Sequence, residues 1–144
     1  MLGLVAETLA LVCTALFAGA AVYVSLVEHP ARERAGVDVA VAEFGPSYRR
    51  AAVMQGGLAL IGGLAGVVRW ATLGGPGWLT SGLLLAALIP YTLIVMMPTN
   101  KRLLDPTLGT RPADAAALLC RWGRLHSVRA LVGGVALGVL LASR

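Results

Sequence analysis

The stretch WLTSGLLLAALIPYTLIVMM, residues 78–97, decides the fold of this chain, because none of its side chains is charged. A helix needs about 20 apolar residues to cross the roughly 30 Å hydrocarbon core of a bilayer. Lipid offers no water to unpaired backbone groups, so a segment of this kind crosses the membrane as a helix. The stretch therefore predicts one transmembrane helix.

Three further apolar runs accompany it, at about residues 2–27, 51–68 and 126–142. The whole chain is 58% hydrophobic and only 13% charged, whereas average soluble domains carry about 25% charged residues. A chain of 144 residues with four spans is long enough for one domain, residues 1–144. The sequence thus predicts an all-α integral membrane four-helix bundle surrounded by lipid.

The first connection between spans carries an additional amphipathic segment, with Val37, Val41 and Phe44 at helical spacing. We expect the Gly45-Pro46 pair to break any helix in this segment, because both residues disfavour helix interiors.

Proline and glycine also mark the later spans. Pro112 suits the first turn of a helix that continues into the fourth span. The pairs Gly62/Gly66 and Gly134/Gly138 place small residues four apart, which lets helix backbones approach closely inside a bundle. The alternative is that these glycine faces join copies of the chain in a homo-oligomer.

The basic residues predict how the chain lies in the membrane. The net charge is +5, but Lys and Arg flank the apolar runs instead of forming a nucleic-acid-binding block. Of the 12 Lys and Arg residues, only Arg69 and Arg144 lie outside the first and third loops. The positive-inside rule then predicts a bacterial inner-membrane protein with these two loops in the cytoplasm and both termini outside.

That topology brings polar residues from three spans to one depth. The first span ends at Glu28 and His29, and the third span holds Tyr91 and ends near Asn100. Trp122, His126 and Arg129 follow each other at helical spacing, on one face at the start of the fourth span. Polar residues inside spans are costly, so these residues are candidates for a functional site.

Structural roles compete with this interpretation. Trp122 can belong to an aromatic belt at the membrane surface. Glu28 can pair with Arg129 or Arg102 in an ion-pair network that only holds the helices together.

The polar residues at this depth include types that bind metal ions. Glu28, His29 and His126 are ligand types of non-haem iron, and two methionines with Cys120 would suit copper. Adjacent residues on a helix point about 100° apart, so Glu28 and His29 do not readily face one ion. The sequence therefore predicts no metal ligand and no cofactor, with iron or copper left open.

Three motifs, SYRRAAVMQ, VMMPTNKRL and WGRLHSVR, together resemble the anthrone oxygenase-like family of small four-helix membrane proteins. Many members of that family carry only a domain-of-unknown-function label. The motif residues are Pro98, Asn100 and Leu103 at the end of the third span and Trp122, His126 and Arg129 at the start of the fourth.

The resemblance implies an oxidoreductase that oxygenates a hydrophobic anthrone-like aromatic with O₂, without flavin or haem. It implies His126 as the catalytic base, Asn100 and Arg129 as donors to the oxyanion, and Trp122 as a stacking surface. Tyr91, Glu28 and His29 complete the expected substrate-binding set.

A second hypothesis is a non-catalytic membrane protein, either a small-molecule binder or a subunit of a membrane complex. It predicts a polar layer closed by ion pairs around Glu28, whereas the oxygenase predicts an apolar chamber that ends at His126.

Overall fold

The computed structural model describes residues 1–143, and within that range every regular element is helical. Arg144, which entered the prediction of topology, lies outside the described residues. Four helices are long and apolar enough to cross a membrane: helix 1 (Leu2–Arg34), helix 2 (Val37–Leu73), helix 3 (Pro76–Leu103) and helix 4 (Pro112–Ala142). The predicted all-α membrane bundle is confirmed, and the chain is an integral membrane protein.

The four helices form a ring. Helix 1 packs against helices 2 and 4, and helix 3 packs against the same two neighbours. Gly74 and Gly75, with φ of 77° and 88°, turn the chain between helices 2 and 3. Residues 35–36 and 104–111 form the other two connections, at the opposite end of the bundle. We call this second end the basic end, because most Lys and Arg residues lie there.

The longer connection at the basic end is organised by Asp105. The backbone N–H and the hydroxyl of Thr107 both donate to Asp105 Oδ1, at 2.9 and 2.8 Å. These hydrogen bonds lower the pKa of the Asp105 carboxyl below its ordinary value.

The continuous helix predicted from Pro112 into the fourth span is confirmed.

Helix 2 passes through Gly45-Pro46 without a break, so the expectation that this pair ends a helix is wrong. A proline inside a helix removes one backbone hydrogen bond and crowds the preceding turn. Here Ala40 and Phe44, just before the proline, are buried in the core, and tertiary packing of this face outweighs that cost. The amphipathic segment predicted for the first loop is the N-terminal part of helix 2.

The glycine pairs behave differently from one another. A Cβ at Gly66 would lie 2.8 Å from the carbonyl oxygen of Trp78, and Gly62 is equally buried, so close approach is confirmed for this pair. Gly134 and Gly138 have no neighbouring atom within 4 Å of such a Cβ. The prediction of close packing inside the bundle is wrong for this second pair, because it faces outward.

Two helices change to π-helical geometry near the basic end. Helix 1 does so at Val24–Glu28, and helix 3 does so at Tyr91–Met96. Ser25 of the first segment and Thr92 of the second both contact residues 126–129 of helix 4, so the two segments lie at one depth. Such local widenings of a helix occur frequently at functional sites.

Candidate functional site

The predicted face of helix 4 is buried toward the centre of the bundle. Trp122, His126 and Arg129 all point into the protein, and the exposed fractions of His126 and Arg129 are 4% and 9%. Asn100 of helix 3 and His29 of helix 1 are buried beside them. The structure therefore brings polar residues of three helices together at one depth, as the topology suggested.

Asn100 holds two aromatic side chains in place. The indole Nε1 of Trp122 donates to Asn100 Oδ1 at 3.0 Å, and Asn100 Nδ2 donates to the hydroxyl of Tyr48 at 3.3 Å. The amide is completely buried, so its oxygen and its nitrogen both need these hydrogen-bond partners. Sequence reasoning did not single out Tyr48, although it lies in the SYRRAAVMQ motif.

Trp122 is the centre of an aromatic cluster. Its ring stacks on His126 with centroids 4.7 Å apart and planes 22° apart. The ring of His29 lies 5.0 Å away, and Phe44 meets the indole edge-on at 5.5 Å. The stacking partner of Trp122 in this structure is thus His126, which fixes the plane of the imidazole.

His126 makes its hydrogen bond to helix 1. The hydroxyl of Ser25 lies 3.0 Å from Nδ1 of His126. Within residues 1–143, no hydrogen bond engages Nε2, and His126 lines the cavity described below. In the tautomer that donates Nδ1–H to Ser25, Nε2 carries a lone pair that can accept a proton.

Arg129 is a buried cation held by neutral groups. One terminal nitrogen donates to Gln55 Oε1 of helix 2 at 2.9 Å, and the other donates to Thr92 Oγ1 of helix 3 at 3.3 Å. The guanidinium also lies 5.4 Å from the ring centroid of Phe17. Its Nε is buried without a partner.

No carboxylate of the described residues lies within ion-pair distance of Arg129. A buried charge without a counter-ion is strongly unfavourable, and arginine does not escape this cost by losing its proton. An anionic or strongly polarised oxygen from a ligand would supply the missing partner.

The acidic residues of this region pair with a different arginine. Arg32, which is 7% exposed, forms ion pairs with Glu28 and Glu43. Glu28 therefore pairs with neither Arg129 nor Arg102, the two partners considered from the sequence. This cluster lies on the basic side of the site, and sequence reasoning had used Arg32 only for topology.

A cavity of about 30 Å³ lies between these groups. Its lining is mainly apolar, and its polar residues include Gln55, Asn100, His126 and Arg129. This volume holds a few water molecules at most, whereas pockets for drug-sized ligands measure about 300–1,000 Å³. Three predicted substrate-binding residues, Tyr91, Glu28 and His29, do not line it.

Residues 44–139 match the family model of anthrone oxygenase, which is two thirds of the chain. The chain belongs to the anthrone oxygenase family. No curated protein sequence and no solved structure shows a significant match to it.

The segment that matches the anthrone oxygenase family contains most of the site. It includes Gln55, Thr92, Asn100 and the Trp122–Arg129 face, but it begins after helix 1. Ser25 therefore belongs to a part of the site that the family match does not cover.

Potential metal ligands do not cluster in the described part of this anthrone oxygenase family member. Among residues 1–143, no three His, Cys, Asp or Glu side chains lie close enough to hold one ion. Cys120 is exposed, and both cysteines are free thiols.

Proposed function

We propose that this protein is a membrane-embedded oxygenase that converts an anthrone-like aromatic and O₂ into the corresponding quinone. The observation that carries this proposal is Arg129, a buried cation with neutral partners, three residues from His126 in the same cavity. An oxyanion that develops during the reaction is the charge such a site can stabilise.

The first step is a proton transfer from carbon. The methylene group of an anthrone is acidic, because the charge left behind spreads onto the carbonyl oxygen. His126 accepts the proton at Nε2, while Ser25 holds the ring through Nδ1. Arg129 binds the resulting enolate oxygen in place of one of its neutral partners.

The oxygen step needs no external reductant. The enolate gives electrons to O₂, a C–O bond forms at the former methylene carbon, and the distal oxygen takes up a proton to give a hydroperoxide. Loss of the second C–H proton and cleavage of the O–O bond then release water and leave a ketone. One oxygen atom stays in the quinone, the other leaves as water, and all four electrons come from the substrate.

The apolar part of the cavity supports this chemistry. Val24, Phe44 and Met96 line the space next to His126 and Arg129. Exclusion of water strengthens the interaction between the guanidinium and the enolate, because the local dielectric constant is low.

The proposed location is the bacterial inner membrane, with the basic end in the cytoplasm and both termini outside. The concentration of Lys and Arg in the connections at the basic end supports this orientation.

The experiment measures O₂ uptake and quinone absorbance with a dihydroxyanthrone and the full-length protein in lipid nanodiscs. Empty nanodiscs give the rate of spontaneous oxidation. His126→Ala should lower the protein-dependent rate by about 100-fold or more. Thermal unfolding of the variant must match wild type, and a wild-type rate equal to that of empty nanodiscs would refute the proposal.

The ion-pair cluster of Arg32 with Glu28 and Glu43 favours a second candidate, a non-catalytic small-molecule binder. Such a protein would bind a dihydroxyanthraquinone without consuming O₂ in the presence of the anthrone. Titration of the quinone beside the O₂ measurement separates the two functions.

A further inference from the structure

A groove of about 200 Å³ opens between helices 2 and 3, next to the buried site. Helix 2 contributes small residues, among them Ala52 and Gly56, and helix 3 contributes larger apolar residues, among them Ile89 and Leu93. Ala52, Gly56 and Leu93 are exposed on the outside of the bundle. Both walls belong to helices that are apolar enough to span a membrane, so the groove faces lipid.

The groove and the buried cavity share one boundary. Tyr48, Ala52, Gln55 and Arg129 line both spaces. Arg129 comes from helix 4, and it donates to Gln55 on the helix 2 wall and to Thr92 on the helix 3 wall. The guanidinium therefore bridges the two walls at the inner end of the groove, between lipid and His126.

We propose that the groove is the route by which the substrate reaches the site directly from the bilayer. A planar apolar ring first lies between helices 2 and 3, where an oxygen at its edge binds Arg129 in place of Thr92 or Gln55. The ring then moves inward, and the small cavity widens around its reacting carbon next to His126. This inference rests on the proposed function, since the ring in question is the substrate of the oxygenase.

Size and charge together select this ligand class. The cavity of about 30 Å³ is too small for fused rings, whereas the adjoining groove of about 200 Å³ offers apolar walls for them. The inner end of the groove holds a cation with no carboxylate partner in the described chain and with a free Nε. An apolar molecule with one polarised oxygen at its edge matches both features.

Two neighbouring glycines offer a matched test. A Cβ at Gly56 or at Gly57 would meet no atom within 4 Å, so leucine at either position should leave the fold intact. Only Gly56 lines the groove. Gly56→Leu therefore fills the groove, and Gly57→Leu adds the same side chain on the same helix outside it.

Both variants are measured in nanodiscs by two independent readouts. The first is the Kd of a dihydroxyanthraquinone, which has the ring shape of the substrate and does not react with O₂. The second is kcat/KM for oxidation of the dihydroxyanthrone. We expect Gly56→Leu to raise Kd and lower kcat/KM by about tenfold or more, and Gly57→Leu to stay within about twofold of wild type.

Reversible modification of a cysteine in the groove separates a loss of quinone binding from a folding defect. Gly56→Cys and Gly57→Cys are each made in a background with Cys13→Ala and Cys120→Ser, and then treated with benzyl methanethiosulfonate. Modification at position 56 should abolish quinone binding, and dithiothreitol should restore it, whereas modification at position 57 should change nothing.

The outcomes separate this route from the oxygenase activity. If quinone binding and turnover are unaffected at position 56, or are affected equally at position 57, the route is overturned and the oxygenase stands. If quinone binding depends on position 56 but the anthrone causes no O₂ uptake, the oxygenase fails and the route stands. Absence of quinone binding to the wild-type protein overturns the route.

Discussion

The hydroxyl of Ser25 lies 3.0 Å from Nδ1 of His126, across the interface between helix 1 and helix 4. Ser25 belongs to the π-helical segment Val24–Glu28, where the helix is locally wider than an α-helix. On its other side, the imidazole stacks on Trp122. The plane of the His126 ring is thus fixed, and the Ser25 hydroxyl is placed to accept Nδ1–H in the tautomer that a general base at Nε2 requires.

Ser25→Ala should therefore impair catalysis more than binding. Loss of the hydroxyl leaves the Nδ1–H tautomer without its acceptor, so we expect kcat to fall about 10–100-fold with little change in KM. One hydrogen bond contributes only about 1 kcal/mol to stability, so thermal unfolding should shift slightly. Steady-state O₂ uptake in nanodiscs gives both kinetic constants.

Ser127→Ala is the matched control, because the Ser127 hydroxyl is exposed and donates to the carbonyl of Gly123 in its own helix. It should behave as wild type. An equal fall of kcat in both serine variants, or a rise of KM alone in Ser25→Ala, would contradict a positioning role for Ser25.

Gly123 gives a second prediction, because it makes room for the ring of His29. A Cβ at Gly123 would lie 2.5 Å from Nε2 and 2.6 Å from Cδ2 of this buried histidine. Gly123→Ala should thus lower the free energy of unfolding by about 1–3 kcal/mol, despite the better helix propensity of alanine. Denaturation in mixed micelles measures the difference.

Gly134→Ala tests the same substitution in open space on the same helix. It should be neutral or stabilise by up to about 1 kcal/mol. If Gly123→Ala stabilises the protein as much as Gly134→Ala does, the contact between His29 and helix 4 is not tight.

Helical periodicity is the part of this site that the sequence could predict. Trp122, His126 and Arg129 share a face because their spacing alone fixes their relative direction on a helix. Their partners Tyr48 and Gln55 could not be found in this way. Pairing across helices depends on how far each helix is rotated about its axis, and spacing within one helix does not contain that rotation.

The two π-helical segments show a related limit. Each changes the direction of every side chain that follows it, and no residue pattern in the sequence predicted either one. Pro46 shows the opposite error, because a strong local preference against a helix was overridden by burial of Phe44. The helix geometry expected from local sequence and the geometry imposed by tertiary packing thus differ at segments that contribute residues to the site.

The opposite end of the bundle has its own ion pair, and this yields a third prediction. Arg69 donates to Glu7 at 2.8 Å and lies 4.8 Å from the ring centroid of Trp78, which links helices 1, 2 and 3. We expect Arg69→Ala to lower the free energy of unfolding by about 1–2 kcal/mol through loss of these two contacts and of its hydrogen bond to the carbonyl of Gly74. Because this cluster is distant from His126, kcat/KM should not change.

Arg50→Ala removes an exposed arginine at the basic end and should leave both stability and activity as in wild type. A loss of activity in Arg69→Ala at temperatures where the variant is fully folded would mean that the two ends of the bundle are coupled.

The last prediction concerns the balance between stability and function at Arg129. A buried cation without a counter-ion is expected to cost stability, so its replacement together with a polar partner should not destabilise the fold. Arg129→Met alone leaves the buried oxygen of Gln55 unpaired, at a cost of about 1–3 kcal/mol. Thr92 keeps a partner, since its hydroxyl also donates to the carbonyl of Leu88.

The double variant Arg129→Met/Gln55→Leu should therefore be more stable than Arg129→Met, and at least as stable as wild type in mixed-micelle denaturation. It should also bind a dihydroxyanthraquinone about 100-fold more weakly, because the guanidinium that pairs with the ligand oxygen is gone. A double variant that is clearly less stable than wild type would instead make Arg129 a structural link between helices 2, 3 and 4. Only a gain or retention of stability together with a loss of binding identifies a residue maintained for its ligand.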